Sequence, residues 1–221
     1  MSPLRLLDIE TQGPNREAAL VDLRFRALLP ADQWAALPVA VQTRFSKRLN
    51  NGATAVYVGR VTQIRFSALG FAIAQIFRLI GAPLPLSRNI DTPTVVTVTE
   101  DKRSGGQIWS RMYGRTKGFP QVIHSVKRFS GPTGLEEYIG RGIGMALKIS
   151  VESGVLVFRS AHYFFECAGW RFKIPRWLTP GDTTVTHQAT SLAAFLFTLD
   201  VTHPVFGQLV HQEALYHEEL L

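Results

Sequence analysis

Two hydrophobic periodicities divide this chain. Between Asn15 and Leu49 the apolar residues Leu20, Leu23 and Leu28, then Trp34, Leu37 and Val41, recur at helical spacing. The pattern predicts short helices interrupted at Pro30 and Pro38, behind a loose leader over residues 1–14. From Thr54 the period shortens. Ala55-Val-Tyr-Val-Gly-Arg-Val-Thr-Gln-Ile-Arg-Phe66 is β-branched and aromatic, which fits a strand. Leu69, Ile73, Ile76, Phe77 and Ile80 return to helical spacing, and Gly81, Pro83 and Pro85 stop that helix.

After Asp91 strand signals recur at short intervals: Thr94–Glu100, Gln107–Gly114, Gln121–Phe129, Gly134–Ile139, Met145–Glu152 and Val155–Glu166, then Thr183–Ser191, Phe195–Thr202 and Gln208–His217. Lys102–Gly106, Ser130–Gly134 and Ser153-Gly154 have the composition of turns. A run of hairpins without intervening helices predicts a mainly β (α+β) fold. Its form would be a strongly curved antiparallel sheet or half-open barrel around one helix, with short N-terminal helices. The expected organisation is one domain over 15–221, with short helices over 15–49 and a strand-rich body over 54–217.

One hairpin is readable by residue. With Ser153-Gly154 as a two-residue turn, Val151 faces Leu156, Ile149 faces Phe158, Leu147 faces Ser160 and Met145 faces His162. That face is the more apolar one and is expected to point inward. Ser160 and His162 would then lie among Met, Leu, Ile and Phe side chains, where an imidazole needs a hydrogen-bond partner.

Composition narrows the class. With 46% hydrophobic and 19% charged residues, the chain is too apolar for disorder. Its longest nearly uncharged apolar stretch, Phe66 to Phe77, is shorter than the roughly 20 residues a membrane-spanning helix needs. The N-terminus lacks the pattern of a secretory signal, so a cytoplasmic location is expected. The single cysteine, Cys167, excludes an intramolecular disulfide and a zinc site built on several thiolates. The net charge of +7 favours anionic partners, but the basic residues are scattered along the sequence, so a nucleic-acid partner is not expected.

The order of features resembles a known family, the bacterial domain of unknown function 4166. The residues that carry the resemblance are Trp34-Ala-Ala-Leu-Pro38, Gly59-Arg60, Arg78-Leu-Ile-Gly-Ala-Pro-Leu-Pro85 and Thr92-Pro-Thr-Val-Val-Thr-Val98. Further matches are Gly105-Gly-Gln-Ile-Trp-Ser-Arg111, Leu135-Glu-Glu137, Ile174-Pro-Arg-Trp-Leu178 with Pro180, and Pro204-Val-Phe-Gly-Gln-Leu-Val210. The resemblance spans roughly residues 34 to 217. It implies no established activity, but it does imply a possible partner, because some members look like attachments to a nicotinamide-dinucleotide-binding oxidoreductase domain. Where the family pattern often carries a histidine after the Trp-to-Pro segment, this chain has Phe45.

The glycines of Gly140-Arg-Gly-Ile-Gly144 lack the spacing of a dinucleotide fingerprint and stand between predicted strands, which suits tight bends better than phosphate binding. The six histidines show no metal-ligand spacing, so no metal site and no cofactor are expected. No Gly-x-Ser-x-Gly elbow is present. Four candidate ligand-binding residues come from two other patterns. Trp109 and Arg111 share one side of a strand, where a guanidinium beside an indole can clamp an anionic or planar group. Arg176 and Trp177 belong to Gly169-Trp-Arg-Phe-Lys-Ile-Pro-Arg-Trp-Leu178, a segment of interleaved aromatic and basic residues. Pro175 argues there for an irregular loop, one able to cover the end of the sheet or rest on an anionic membrane surface.

Together these readings predict a binding module for a hydrophobic or amphipathic small molecule without independent catalytic activity, with Trp109, Arg111, Ser160, His162, Arg176 and Trp177 as its ligand-binding residues. The alternatives are an accessory to a separate NAD(P)-dependent oxidoreductase and a peripheral membrane-surface protein.

Overall fold

The computed structural model describes residues 21–50, 52–81 and 84–219. The expected leader over 1–14 and the start of the helical entry lie outside the described residues. Three short helices follow: α1 (Arg24–Ala27), α2 (Ala31–Ala35) and α3 (Val39–Phe45). Pro30 and Pro38 occupy the N-cap positions of α2 and α3 in extended conformation. Each ends one helix and begins the next, because proline cannot donate into the preceding turn.

The rest of the chain is a meander. It comprises β1 (Thr54–Phe66), α4 (Ala68–Ile76) running into a 3-10 turn, β2 (Pro93–Asp101), β3 (Gly106–Tyr113), β4 (Gln121–Arg128), β5 (Glu136–Gly140), β6 (Ile143–Glu152) and β7 (Val155–Cys167). β8 (Trp170–Lys173), β9 (Asp182–Ala189), β10 (Ala194–His203) and β11 (Gly207–Glu219) complete it. Consecutive strands pair antiparallel from β1 to β7, β9 continues from β7, and β11 returns to β1. Ten strands close the ring, and β8 lies outside it, paired only with the last part of β7.

The half-open sheet expected from sequence is therefore closed. Pairing of β1 with β11 runs from Val56–Glu219 to Phe66–Val210 and joins the first strand to the last. Gly59 lets the seam form. A Cβ there would come within 2.1 Å of the Leu215 carbonyl oxygen and 2.7 Å of the Tyr216 ring, which fills the interior at that level.

The helix is placed differently from the expectation as well. α4 lies across one end of the barrel instead of standing inside it. Ser67 caps it by accepting a hydrogen bond from the Gly70 amide at 3.0 Å. Gly70 packs so tightly that a Cβ would meet the Leu209 carbonyl oxygen at 1.9 Å. Ala74, Ile73 and Phe77 pack with Leu84, Val201, Leu209 and Val210, and the chain crosses to β4, where Gln121 bonds the Leu84 carbonyl oxygen and the Leu86 amide at 2.9 Å each. We call this the capped end. The opposite, plugged end is filled by α1–α3. Phe25, Leu29, Trp34, Leu37, Val41 and Phe45 pack with Leu135, Leu147, Leu156 and Phe158 of the barrel.

The β6–β7 hairpin follows the expected register only in part. Ser153 and Gly154 both have positive φ, 50° and 78°, as a two-residue hairpin turn requires, and the pairs hold as far as Leu147–Ser160. A bulge at Ala161 then adds one residue to β7, so Ala146 faces His162 and Met145 faces Tyr163. His162 is thereby turned to the outside of the barrel and Tyr163 takes its place within. β8 is a strand that the sequence did not suggest. Pro175 lies two residues beyond its end and opens a 3-10 turn, so it never has to join the ladder. In Gly140–Gly144, Gly140, Arg141 and Gly142 have φ of 129°, 48° and 79° and make the β5–β6 turn, as the bend reading expected.

Candidate functional site

Alternation decides what enters the barrel. On β3 the inward residues are Gln107, Trp109, Arg111 and Tyr113; on β4 they are Ile123, Ser125 and Lys127; on β5, Glu137. Three charges thus meet inside the barrel. Lys127 Nζ donates to Glu137 Oε2 at 2.8 Å, and Arg111 Nη2 approaches Glu137 Oε1 at 3.5 Å. Arg111 Nη1 also donates to Ser125 Oγ at 3.1 Å. The lysine and glutamate side chains are each 6% exposed and that of Arg111 13%.

Burial opposes ionisation of Glu137, but the charges of Lys127 and Arg111 override it and hold the carboxyl at about 2, well below the usual carboxylate range. The pKa of Lys127 is lowered as well, which for a cation disfavours the charged form. Burial lowers its affinity for the proton, Glu137 counters this, and Arg111 adds to it. Two basic side chains share one carboxylate in a medium that screens poorly. Aromatic faces supply part of the balance: Lys127 Nζ sits 5.0 Å from the Trp109 ring centre, and the Arg111 guanidinium lies 5.9 Å from Trp109 and 6.0 Å from Phe197.

A narrow cavity opens between this cluster and the capped end. It holds about 70 Å³ when counted as the space that the centres of water molecules reach, within some 690 Å³ of atom-free space that includes a part continuous with solvent. Arg111, Ser125 and Glu137 form its polar base. Phe77, Leu84 and Pro85 close it from the cap, and Ile123, Ile139, Val185, Phe197, Leu199 and Val201 are among the apolar residues of its wall. Tyr163 and Thr183 add a polar spot, their hydroxyls 2.6 Å apart.

The six residues expected to bind ligand do not come together. Trp109 and Arg111 are neighbours inside the barrel, the guanidinium 5.9 Å from the Trp109 ring centre. Ser160 is in the wall, where its hydroxyl accepts the Thr183 amide at 2.9 Å. His162 lies on the outer face beside Phe164, and burial together with Lys173 and Arg171 lowers its pKa. Arg176 and Trp177 are exposed on the rim, with Arg176 paired to Asp182 at 3.2 Å and Trp177 77% exposed. Neither lines the cavity. Glu137 was visible within a family-like motif. Lys127 and Ser125 escaped notice because β4 alternates Ile123, Ser125, Lys127 with Val122, His124, Val126, and neither face is clearly the apolar one.

A second charged cluster lies outside the barrel. Arg171 of β8 bonds Glu136 at 2.5 Å, Glu166 at 2.8 Å and the Tyr138 hydroxyl at 2.7 Å, and Ser130 also donates to Glu136. This network fastens β8 over β5 and leaves Glu136 wholly buried. Near the plugged end, Arg44 Nη1 donates to His187 Nε2 at 2.8 Å, and His187 stacks on Phe195 with ring centres 4.0 Å apart. Burial, reinforced by Arg44, holds the His187 pKa well below its ordinary value, so the ring is neutral.

Among the described residues, no group of three His, Cys, Asp or Glu side chains is placed to hold a metal ion, and no helix is long and apolar enough to cross a membrane. Neither the curated proteins nor the solved structures hold a match to the chain. A family model does match, over residues 37–215, from just before α3 through nearly all of the closed barrel. The chain with its polar-based cavity belongs to the family described as Domain of unknown function (DUF4166).

Proposed function

We propose that this protein binds a slender, largely apolar small molecule inside the barrel, beneath α4. The cavity carries the reading: an apolar wall with a few convergent polar groups at its base is the usual construction of a small-molecule site. Its width suits a short alkyl chain or a similarly narrow group. Native mass spectrometry of the purified protein, followed by titration with short-chain alcohols and acids, tests the proposal. Co-purification or stoichiometric uptake is expected. An empty protein that takes up none of these compounds overturns it.

A second reading, contact with an anionic membrane surface, is favoured by the distribution of exposed apolar side chains. Ile76, Leu79, Phe119, Trp170, Phe172, Trp177, Leu178, Val205 and Phe206 are all exposed, and all belong to segments at the capped end. Arg78, Arg115, Lys117, Arg141 and Lys173 are exposed in the same segments, although they are far apart in sequence. Aromatic rings at headgroup depth with cations on phosphates would use both. Cosedimentation with phosphatidylserine-containing vesicles at low salt is expected for the protein and reduced for Trp177→Ala. No sedimentation of either protein ends this reading.

A further inference from the structure

We infer that the cavity accepts an amphipathic anion, with Arg111 holding a carboxylate head group at the base and the apolar chain lying toward the cap. The inference rests on the ligand-binding reading above and adds the chemical class of ligand.

The argument is one of charge and direction. Among the described residues, Arg111 is the one lysine or arginine that lines the cavity. Its guanidinium has five N–H donors, yet among the described residues it makes a single hydrogen bond, to Ser125, and a longer ionic contact with Glu137. Glu137 is already engaged by Lys127, so the local sum of ionised groups is two cations against one carboxylate. An isolated buried charge is costly, and the cost falls when an anion arrives to be paired. A carboxylate presents two oxygens in the plane that a guanidinium fork matches. An ammonium head group would meet the surplus charge as repulsion. An alcohol would gain at most an uncharged hydrogen bond.

The wall supplies the other half of the ligand. Phe77, Leu84, Ile139, Leu199 and Val201 are apolar and lie between Arg111 and the capped end, so a chain extending from the head group is desolvated along its length. The outer charged cluster gives a contrast within the same molecule. There Arg171 is surrounded by two carboxylates and a tyrosine hydroxyl, and no cationic surplus faces an open space.

Isothermal titration of the intact protein with hexanoate, hexanol and hexylamine tests the head group without any substitution, and the Trp109 indole N–H resonance reports whether the ligand reaches this cluster. Hexanoate is expected to bind at least about tenfold more tightly than hexanol, with hexylamine weakest, and to shift the Trp109 signal. Equal affinity for hexanoate and hexanol overturns the anionic class while leaving the cavity reading intact. Failure of all three, and of their octyl homologues, overturns both. Arg111→Gln and Lys127→Met each remove one cation. Either variant that folds is expected to lose about tenfold in hexanoate affinity and to keep hexanol within about threefold. Hexanoate binding that is unchanged in a folded Arg111→Gln protein, or that leaves the Trp109 resonance unmoved, places the anion elsewhere and overturns the assignment.

Discussion

The two ends of the barrel solve the same problem, an open mouth, in opposite ways. At the plugged end α1–α3 fill the interior with Phe25, Trp34, Val41 and Phe45, and Phe25 packs edge-on to Phe45 and Phe129 with ring centres 5.1 and 4.9 Å apart. At the capped end α4 and the chain after it bridge the rim without filling it, and a cavity with a charged base remains. The space left beneath α4, about 70 Å³, exceeds the roughly 20 Å³ beside α3 at Arg44, Phe45 and Trp109, which teaches that the larger cavity is a property of that end and not of barrel closure. The capped end also gathers most of the exposed aromatic and aliphatic side chains.

Truncation should separate the ends most strongly. Phe25→Ala at the plugged end removes a side chain that is 1% exposed and is expected to cost about 3–5 kcal/mol in urea unfolding. Leu199→Ala on the cavity wall faces space already empty on one side and should cost under about 2 kcal/mol. Similar losses at both ends would contradict the cavity.

The internal charges should behave unequally for the same structural reason. Glu137→Gln leaves Arg111 and Lys127 buried against each other without a counter-charge and is expected to destabilise by about 3–5 kcal/mol. Lys127→Met leaves Arg111 facing Glu137 and fills the volume with an apolar chain, so the expected loss is under about 1 kcal/mol. Urea denaturation of the two variants side by side measures the difference, and equal losses would contradict a cationic surplus.

Overpacking is the milder probe. Leu147→Phe at the plugged end should cost about 1–3 kcal/mol, while Leu199→Phe should be close to neutral because its added volume enters the cavity. Thermal unfolding of both variants checks this, and it also yields a variant with a filled cavity for the ligand titrations.

The ends should also titrate in different windows. The folded-state pKa of His187, near the plug, is depressed, so its contribution is intact above the ordinary histidine value of 6.5 and is lost as pH falls below it, where the unfolded chain takes up a proton that the folded one refuses. Glu137, at the cavity, is depressed from 4.5 to about 2, so its contribution is intact above 4.5 and is lost between 4.5 and 2. Stability measured against pH should therefore fall in two stages. His187→Gln is expected to remove the upper one, and its persistence in that variant would assign it to another group.

Much of this fold was legible along the chain because its strands are local hairpins. The Ser153-Gly154 turn set six residues of β6 against six of β7 through a two-residue period, and Pro30 and Pro38 marked the helix breaks by their chemistry alone. The bulge at Ala161 was hidden, since nothing in Ser160-Ala-His162 distinguishes an extra residue from regular pairing. That single insertion moved His162 from the expected site to the outer surface. β8 was masked by Pro175, which lies just past its end. For the site, Arg111 and Trp109 were found because a shared strand face follows from spacing, whereas Lys127 was not, because β4 carries polar residues on both faces.

Local chemistry along the chain specified the meander, its turns and the order of its pairings, since those depend on neighbours a few residues apart. Closure of the ring, the identity of the plugged and capped ends, and the meeting of Arg111, Ser125, Lys127 and Glu137 depend on contacts between strands and segments that alternation alone does not orient. A two-residue period leaves two faces open to either role. Only the packing of α1–α3 at one end and α4 at the other establishes which face is buried, where space remains, and which charges must share it.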